Sequence, residues 1–462
     1  MSTSSKFQSN SLESKDISFQ LHPYTDPNNL KEHGPQIITG GEGIRVQDAD
    51  GKSYIEGMSG LWCASLGFSE NELVEAAIKQ MKILPFYHSF SGKGSNPSIQ
   101  LAEKLISVAP RNLEKVFFCN SGSEANDTAI KLIWYYHAAI GMPAKRKVIS
   151  RIGGYHGVTL AAASLTALPY AQDGFSLPLE FALHTSSPHF FQHSLENESE
   201  SEFVDRLALD LEKLIENEGS ENIGGFIAEP VMGAGGVITP PKGYFEKIIP
   251  ILKRHKILLI ADEVICGFGR TANMWGSETY EIIPDILTCA KGLSSAYAPI
   301  SAVLISREII EKVEEQANRL GQFGHGFTYS GHPVSAAVAL RTIELMEERN
   351  IIEHVKDVSP YFSDRLRGLE YFKCVGEARS VGLIGAIEFV AKPKTNIKIN
   401  PKHKFSSFAA KIIQDNGVIL RSLPIDGIGF CPPLITTENE IKEMFDKIEM
   451  VMPQIDHHLD TL

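Results

Sequence analysis

The sequence predicts an α/β protein, with a large domain on a mostly parallel sheet followed by a smaller α+β domain. Three observations carry that prediction. Between residues 115 and 305, short apolar, β-branched runs alternate with stretches of helical spacing, the pattern of strands interleaved with covering helices. Two of those runs end abruptly in charge, Ile257-Leu-Leu-Ile-Ala-Asp262-Glu263 and Pro284-Asp-Ile-Leu-Thr-Cys-Ala-Lys291, and in an open α/β sheet ligands sit beyond the carboxyl ends of the strands. Beyond Gly331 the character changes to long helical stretches and short strands.

In chain order, residues 1 to about 20 are polar and serine-rich and read as a loosely held arm. The Pro- and Asn-rich stretch from His22 to Gly34 reads as extended. Residues 43–56 alternate apolar and polar about Asp50-Gly51, a hairpin signal. A glycine-spaced loop, Gly57-Met-Ser-Gly-Leu-Trp62, follows. Helical spacing marks 71–84 and 98–108. Then come strand 115–119, helix 123–140, strand 147–151 and helix 157–166. A polar insertion over 186–202 precedes an amphipathic helix marked by Phe203, Leu207, Leu211 and Leu214. Strand 223–228, helix 243–255 and strands 257–261, 285–290 and 300–305 complete the alternating part. The C-terminal part is predicted as helices 333–349 and 351–369, strands 372–376 and 382–389, helix 404–415, strand 417–420 and a closing helix 438–454.

The chain has 462 residues, 43% apolar and 22% charged, ordinary values for a globular protein. Its formal net charge of −12 argues against binding nucleic acid or an anionic membrane. Cysteines 63, 119, 266, 289, 374 and 431 form no C-x-x-C pair, which predicts reduced, mostly buried thiols. The opening residues have no apolar signal core and no apolar run is long enough to span a membrane, so a cytoplasmic protein is expected.

A lysine at the end of a buried strand is costly unless it has a partner or a chemical use. One use is an amine desolvated until it becomes a nucleophile that forms a Schiff base; the plain alternative is a side chain reaching past the strand end to water. A carboxylate ending a neighbouring strand, Asp262, converges on the same edge. The segment Val116-Phe-Phe-Cys-Asn120-Ser121-Gly122-Ser123-Glu124-Ala-Asn126 reads as strand, polar turn and helix start. Ser121 and Glu124 have capping-box spacing, and free N–H groups at such a start suit a phosphate. Lysine, carboxylate and phosphate cup together suit pyridoxal phosphate.

With Gly154-Tyr155-His156-Gly157 and Ala228-Glu229-Pro230 these segments resemble, in order, the motifs of the class III aminotransferases, and within that class most closely the ω-amine:pyruvate transaminases. The resemblance runs from about Leu21 to the C-terminal end. It implies a fold-type I enzyme using pyridoxal 5'-phosphate, with a segment 1–65 packing with the small domain, a cofactor-binding domain 66–330 and a small domain 331–462. It implies that Lys291 is the Schiff-base lysine and proton shuttle, and that Asp262 pairs with the pyridine nitrogen and keeps the ring an electron sink. By the same resemblance Ser121, Gly122 and Ser123 are expected to form the phosphate cup. Tyr155 is expected to stack on one ring face beside His156, Val264 to pack on the other, and Glu229 to be an acid one layer behind. Thr328, in the glycine-rich loop 321–328, is expected to reach the phosphate of a neighbouring subunit, which implies a homodimer with shared active sites. Arg421 is expected to grip the keto-acid carboxylate with a bidentate fork and to swing aside for uncharged amines. Trp62 walls the substrate pocket, with Leu61, Cys63, Phe86, Tyr87 and Phe90 on the same side.

The expected reaction is ping-pong transfer of an amino group from a primary amine or ω-amino acid to a keto acid, with pyruvate the expected acceptor. A 2-oxoglutarate-dependent 4-aminobutyrate- or ornithine-type enzyme and an aminomutase share the fold and the motifs. A cofactor-binding protein without catalysis is disfavoured by the presence of both Lys291 and Asp262. Resembling enzymes often have glycine where this chain has Ala272 and Ala296. Other signals are discounted. His189-Phe-Phe-Gln-His193 has the spacing of a metal pair but no acidic partner on a helix. Gly233-Ala-Gly-Gly236 lacks the context of a dinucleotide fingerprint, no P-loop is present, and the sequons at Asn126 and Asn197 carry no weight without secretion.

Overall fold

The computed structural model describes residues 7, 8 and 10–462. A seven-stranded sheet runs in the order Leu113–Cys119, Ser301–Ser306, Ile286–Cys289, Leu258–Asp262, Ile223–Ala228, Lys147–Arg151, Ala182–Thr185. Only Ser301–Ser306 is antiparallel to its neighbours. The parallel strands therefore end on one edge, and the segments after Cys119, Arg151, Ala228, Asp262 and Cys289 all open there. Central strands such as Ile223–Ala228 are buried throughout, which is why they read as unbroken apolar runs.

Helices cover both faces. Gly122–Ala139 buries Ala125, Ala129, Ile133 and Tyr136 against the sheet, while Glu200–Glu218 packs Phe203, Leu207, Leu211 and Ile215 inward at helical spacing. The polar stretch before it supplies a capping box, Ser199 with Glu202.

Two smaller sheets complete the fold. Val375–Val381, Ile384–Phe389, Gly427–Phe430 and Arg421–Leu423 form an antiparallel sheet covered by Ile351–Gly368 and the closing helix Glu438–Asp460. The other joins the two ends of the chain. The hairpin Arg45–Asp48 and Ser53–Glu56 pairs with Ile38–Glu42 on one side and, parallel, with Val418–Ile419 on the other.

Several expectations are corrected. Part of the expected N-terminal arm, residues 1–6 and 9, lies outside the described residues, but Leu12–Phe19 is a helix capped by Ser11. His22–Gly34 is not extended throughout: Asp26 caps Pro27–His33, with Pro at the first helical position. The strand expected at 372–376 forms at Val375–Val381, and the helix expected at 157–166 is only Leu160–Leu165. The closing helix runs past Pro453 to Asp460. Arg307–Leu320 is a helix with no counterpart in the expected elements; Ile309, Val313 and Gln316 alone are buried on it, so its apolar stripe is thin. No helix among the described residues is long and apolar enough to cross a membrane, and all six cysteines are free, five of them buried.

Candidate active site

The open edge of the seven-stranded sheet holds a cavity of about 390 Å³. It is lined by Asn120, Ser121, Gly122 and Ser123 after the first strand, Tyr155 and His156 after another, then Glu229, Asp262, Val264 and Lys291. Most of the predicted site residues, scattered over 170 positions of sequence, thus face one space.

Asp262, 3% exposed, ends its strand as the sequence predicts, and its carboxylate is held by three donors. Oδ2 accepts from the Asn126 side-chain amide at 2.8 Å and from His156 Nδ1 at 2.8 Å, and Oδ1 accepts from the Val264 N–H at 3.1 Å. An ionised carboxylate only accepts, so the His156 proton sits on Nδ1. His156 therefore holds Asp262 while lining the same cavity. Asn126 is a residue the sequence reading missed, since it stood out only as a discounted sequon. Its amide also donates to the His156 carbonyl at 2.6 Å and its oxygen accepts from Thr288 at 2.8 Å. The available signal was a polar residue on the buried face of the helix that follows the Ser-Gly-Ser turn.

Lys291 comes two residues after the strand Ile286–Cys289, with φ +46°, and opens a short 3-10 turn. Burial pushes its ammonium pKa below the ordinary lysine value, while Asp262 opposes that fall. A lowered amine pKa increases the neutral, nucleophilic fraction.

The helix Gly122–Ala139 starts at the cavity, so its first unpaired N–H groups and positive end are available to an anion. The capping box is only half present. Ser121 Oγ accepts from the Glu124 N–H at 3.2 Å, but Glu124 Oε2 takes the N–H of Asn120 at 2.8 Å instead of that of Ser121. The glycines here are set by close approach. A Cβ on Gly122 would lie 2.9 Å from Val264, and Gly157, at φ +133°, would press one to within 2.8 Å of the Ser123 backbone. This tight cradle of N–H and hydroxyl groups, next to a carboxylate and a buried amine, fits a phosphorylated pyridine aldehyde.

Glu229 lies behind Tyr155. Its carboxylate accepts from the N–H groups of Tyr155 at 3.0 Å and Gly233 at 2.9 Å, and burial raises its pKa. Tyr155 lines the main cavity and a smaller adjoining one of about 60 Å³, as do Ile265 and Lys291. The smaller cavity is walled by Trp62 and Arg421 together with Leu61, Tyr170 and Tyr24. Tyr24 and Tyr170 were missed. Tyr24 comes from the N-terminal segment, with its hydroxyl 3.2 Å from that of Tyr155 and its ring edge-on to Tyr170.

Phe90 and Thr328 lie outside both cavities, on the exposed surface. They belong to one patch, where the Phe90 ring would meet a Cβ on Gly326 at 3.1 Å. Phe86, Tyr87 and Tyr329 are exposed as well.

The discounted His189 has no acidic partner on a helix, but it does meet two carboxylates from strands. Its Nε2 lies 3.1 Å from Glu388 and 3.8 Å from Glu377. Arg379 pairs with both carboxylates, so a guanidinium already supplies the cation that this acidic pair would hold.

The model of the family described as aminotransferase class-III matches residues 28–452. The gamma aminobutyrate transaminase 1 of Solanum lycopersicum, named as mitochondrial, is 48% identical over 92% of this chain and 82% of its own. The crystal structure of an omega transaminase from Pseudomonas jessenii in complex with PMP superposes with a TM-score of 0.96 at 48% identity, covering 97% of this chain and 99% of that one. A transaminase solved with L-alanine superposes at 0.90 with 49% identity, over 92% of this chain and all of its own.

Proposed function

This chain belongs to the class III aminotransferases, and we propose that it moves amino groups from a primary amine or ω-amino acid to pyruvate. It is a fold-type I transaminase whose cofactor is pyridoxal 5'-phosphate, which when bound supplies an electron sink for breaking the C–H bond beside the substrate nitrogen. In the proposed assignment Lys291 holds the cofactor and then moves the proton. Asp262, fixed by Asn126 and His156, faces the ring nitrogen. The helix start at Ser121–Ser123 binds the phosphate, and Tyr155 and Val264 flank the ring.

The observation that carries the substrate reading is the small second cavity. Trp62, Arg421 and Tyr155 surround it, and it meets the main cavity at Lys291. A guanidinium there offers a bidentate site for the carboxylate of a short keto acid, while the aromatic walls suit an apolar amine. The relative solved with L-alanine, the amination product of pyruvate, supports that acceptor. The plant relatives named for gamma-aminobutyrate favour a second reading, in which the donor is a 4-carbon ω-amino acid.

A homodimer with shared active sites belongs to the same reading. Its support is that Phe90 and Thr328 lie away from the cavities of their own chain, on an exposed aromatic surface. The division at residues 65 and 330 is likewise proposed. A cytoplasmic location is supported by the free thiols, against mitochondrial or chloroplastic names among the relatives; cell fractionation decides it.

The test is a half-reaction. Cofactor-loaded protein is mixed with single amines and no keto acid, and its visible band is followed. Bleaching by an amine, reversed by pyruvate and not by 2-oxoglutarate, is the expected result. Reversal by 2-oxoglutarate alone replaces the acceptor, and a band that no amine bleaches means a donor outside the panel or an aminomutase.

A further inference from the structure

The turn that carries Trp62 is strained. Ser59 and Trp62 adopt left-handed backbone conformations, at φ +49° and +64°, with Gly60 at +66° between them. Such conformations persist in non-glycine residues only where surrounding contacts fix them. One fixing group is a buried carboxylate that the catalytic assignment does not use. Glu56 ends the strand Ser53–Glu56, is 4% exposed, and accepts the N–H of Gly60. Among the described residues no lysine or arginine pairs with it, so its only ordering role is toward this turn.

The other side of Glu56 touches the second substrate determinant. Glu56 is in parallel register with Ile419, and the Gly57 N–H donates to the Ile419 carbonyl at 3.0 Å. Ile419 is two residues before Arg421. The segment after Gly427–Phe430 closes the arrangement, with the Cys431 N–H donating to the Gly57 carbonyl at 2.7 Å and Ser59 Oγ donating to the Cys431 carbonyl at 2.6 Å.

We infer that Glu56 is a positioning residue for substrate: its carboxylate sets the turn that presents Trp62, and that turn is tied through the backbone of Gly57 to the strand that leads to Arg421. This rests on the reading of those two residues as the substrate wall. A position error of about 1 Å in such a wall is enough to weaken binding severalfold.

The same group makes the pocket responsive to pH. Burial raises the Glu56 pKa to about 7, opposed by the N–H groups of Gly60 and Met58. The titratable groups facing it are the thiols of Cys63, on its own turn, and Cys431, on the segment packed above. Both thiols are pushed above their ordinary value by burial, and Arg270 and Lys291 face them from beyond. The ionised carboxylate can accept both N–H groups; the protonated acid gives up one acceptor position to its own O–H. The turn is therefore best held above neutrality and loosens as pH falls.

The experiment uses cofactor-loaded enzyme and measures KM for pyruvate and for an uncharged amine across pH, with Tm over the same range. Wild type is expected to show KM rising as pH falls through about 7. Glu56→Gln is expected to have a KM about threefold to tenfold higher at mildly alkaline pH, with no inflection and a smaller change in kcat. Its Tm should decline less steeply than that of wild type between pH 4.5 and about 7, where unfolded chain ionises and folded Glu56 does not, the remaining slope coming from other buried carboxyls such as Glu263. Glu56→Asp keeps the charge but falls short of Gly60, and should also raise KM. A wild-type KM in either variant, or no inflection in wild type, overturns the inference. Trp62→Ala and Arg421→Ala separate the two levels. If they leave both KM values unchanged, the pocket reading itself fails; if they move KM and Glu56→Gln does not, only the role of Glu56 fails.

Discussion

The side-chain amide of Asn126 donates to Oδ2 of Asp262 at 2.8 Å, while the amide oxygen of Asn126 accepts from Thr288 at 2.8 Å. The amide cannot flip without losing both bonds, so the carboxylate is held in one orientation by a group that is itself locked. Asn126→Ala is therefore expected to lower kcat by about 10- to 100-fold with the chain still folded, by analogy with partners that orient catalytic ligands. Stopped-flow half-reactions with a good amine check this, and an unchanged rate would show that Asp262 needs no such support.

If Lys291 has the proposed role, Lys291→Ala should lower turnover by at least about a thousandfold and abolish the visible band of a lysine-bound cofactor, since the proposed nucleophile and proton carrier would be lost together. Absorbance of the purified variant with added cofactor reads both. Asp262→Asn keeps the shape and one acceptor oxygen but loses the charge and replaces the other oxygen by a donating NH2, and should fold while losing most of the rate.

Arg421→Ala should raise KM for pyruvate by about 10- to 100-fold, the loss of a charge-assisted bidentate contact of about 1.5–3 kcal/mol. KM for an uncharged amine should change far less. Equal changes would place Arg421 outside carboxylate recognition.

Ala272 and Ala296 sit at φ +65° and +66°, where a Cβ costs roughly 1–2 kcal/mol. Glycine at either position recovers that strain, less about 0.4–1 kcal/mol of added unfolded-state entropy. Ala272→Gly and Ala296→Gly are thus each expected to stabilise by about 0.5 kcal/mol, readable as a higher midpoint in urea unfolding.

Glu263 is fully buried, accepts the N–H groups of Gly276 at 2.9 Å and Ser277 at 2.6 Å, and has its pKa raised by burial to about 7. Below pH 4.5 both folded and unfolded forms are protonated. Between 4.5 and about 7 only the unfolded form ionises, so stability falls as pH rises through that window and is level above it. Glu263→Gln should remove this part of the slope in denaturation measured against pH.

The sheet and the cofactor end of the site were legible because each depends on local chemistry. Apolar runs ending in Asp262 and Lys291 read as core strands that carry charge to one sheet edge, and the Ser121–Ser123 turn announces a helix start. What was hidden depends on contacts across the chain. Nothing around Tyr24 signals that it meets Tyr155, or that the Glu124 arm of the capping box reaches Asn120. Arg307–Leu320 escaped because three inward residues make a thin stripe, and Pro27–His33 because its proline reads equally as loop or as a first helical turn. The acidic partners of His189, Glu377 and Glu388, lie on strands far along the chain, beyond any local pattern.

The strand Ser53–Glu56 finds its parallel partner in Val418–Ile419, near the opposite end of the chain. During synthesis every strand of the seven-stranded sheet has emerged by Ser306, with all the residues that line the main cavity. The wall made by Trp62 and Arg421 must wait more than a hundred residues longer. A chain released early from the ribosome would carry every residue lining the main cavity, and Trp62, but would lack Arg421 and the strand that fixes it. Libraries aimed at new amines can therefore be confined to the late-closing seam, leaving untouched the part of the molecule that assembles first.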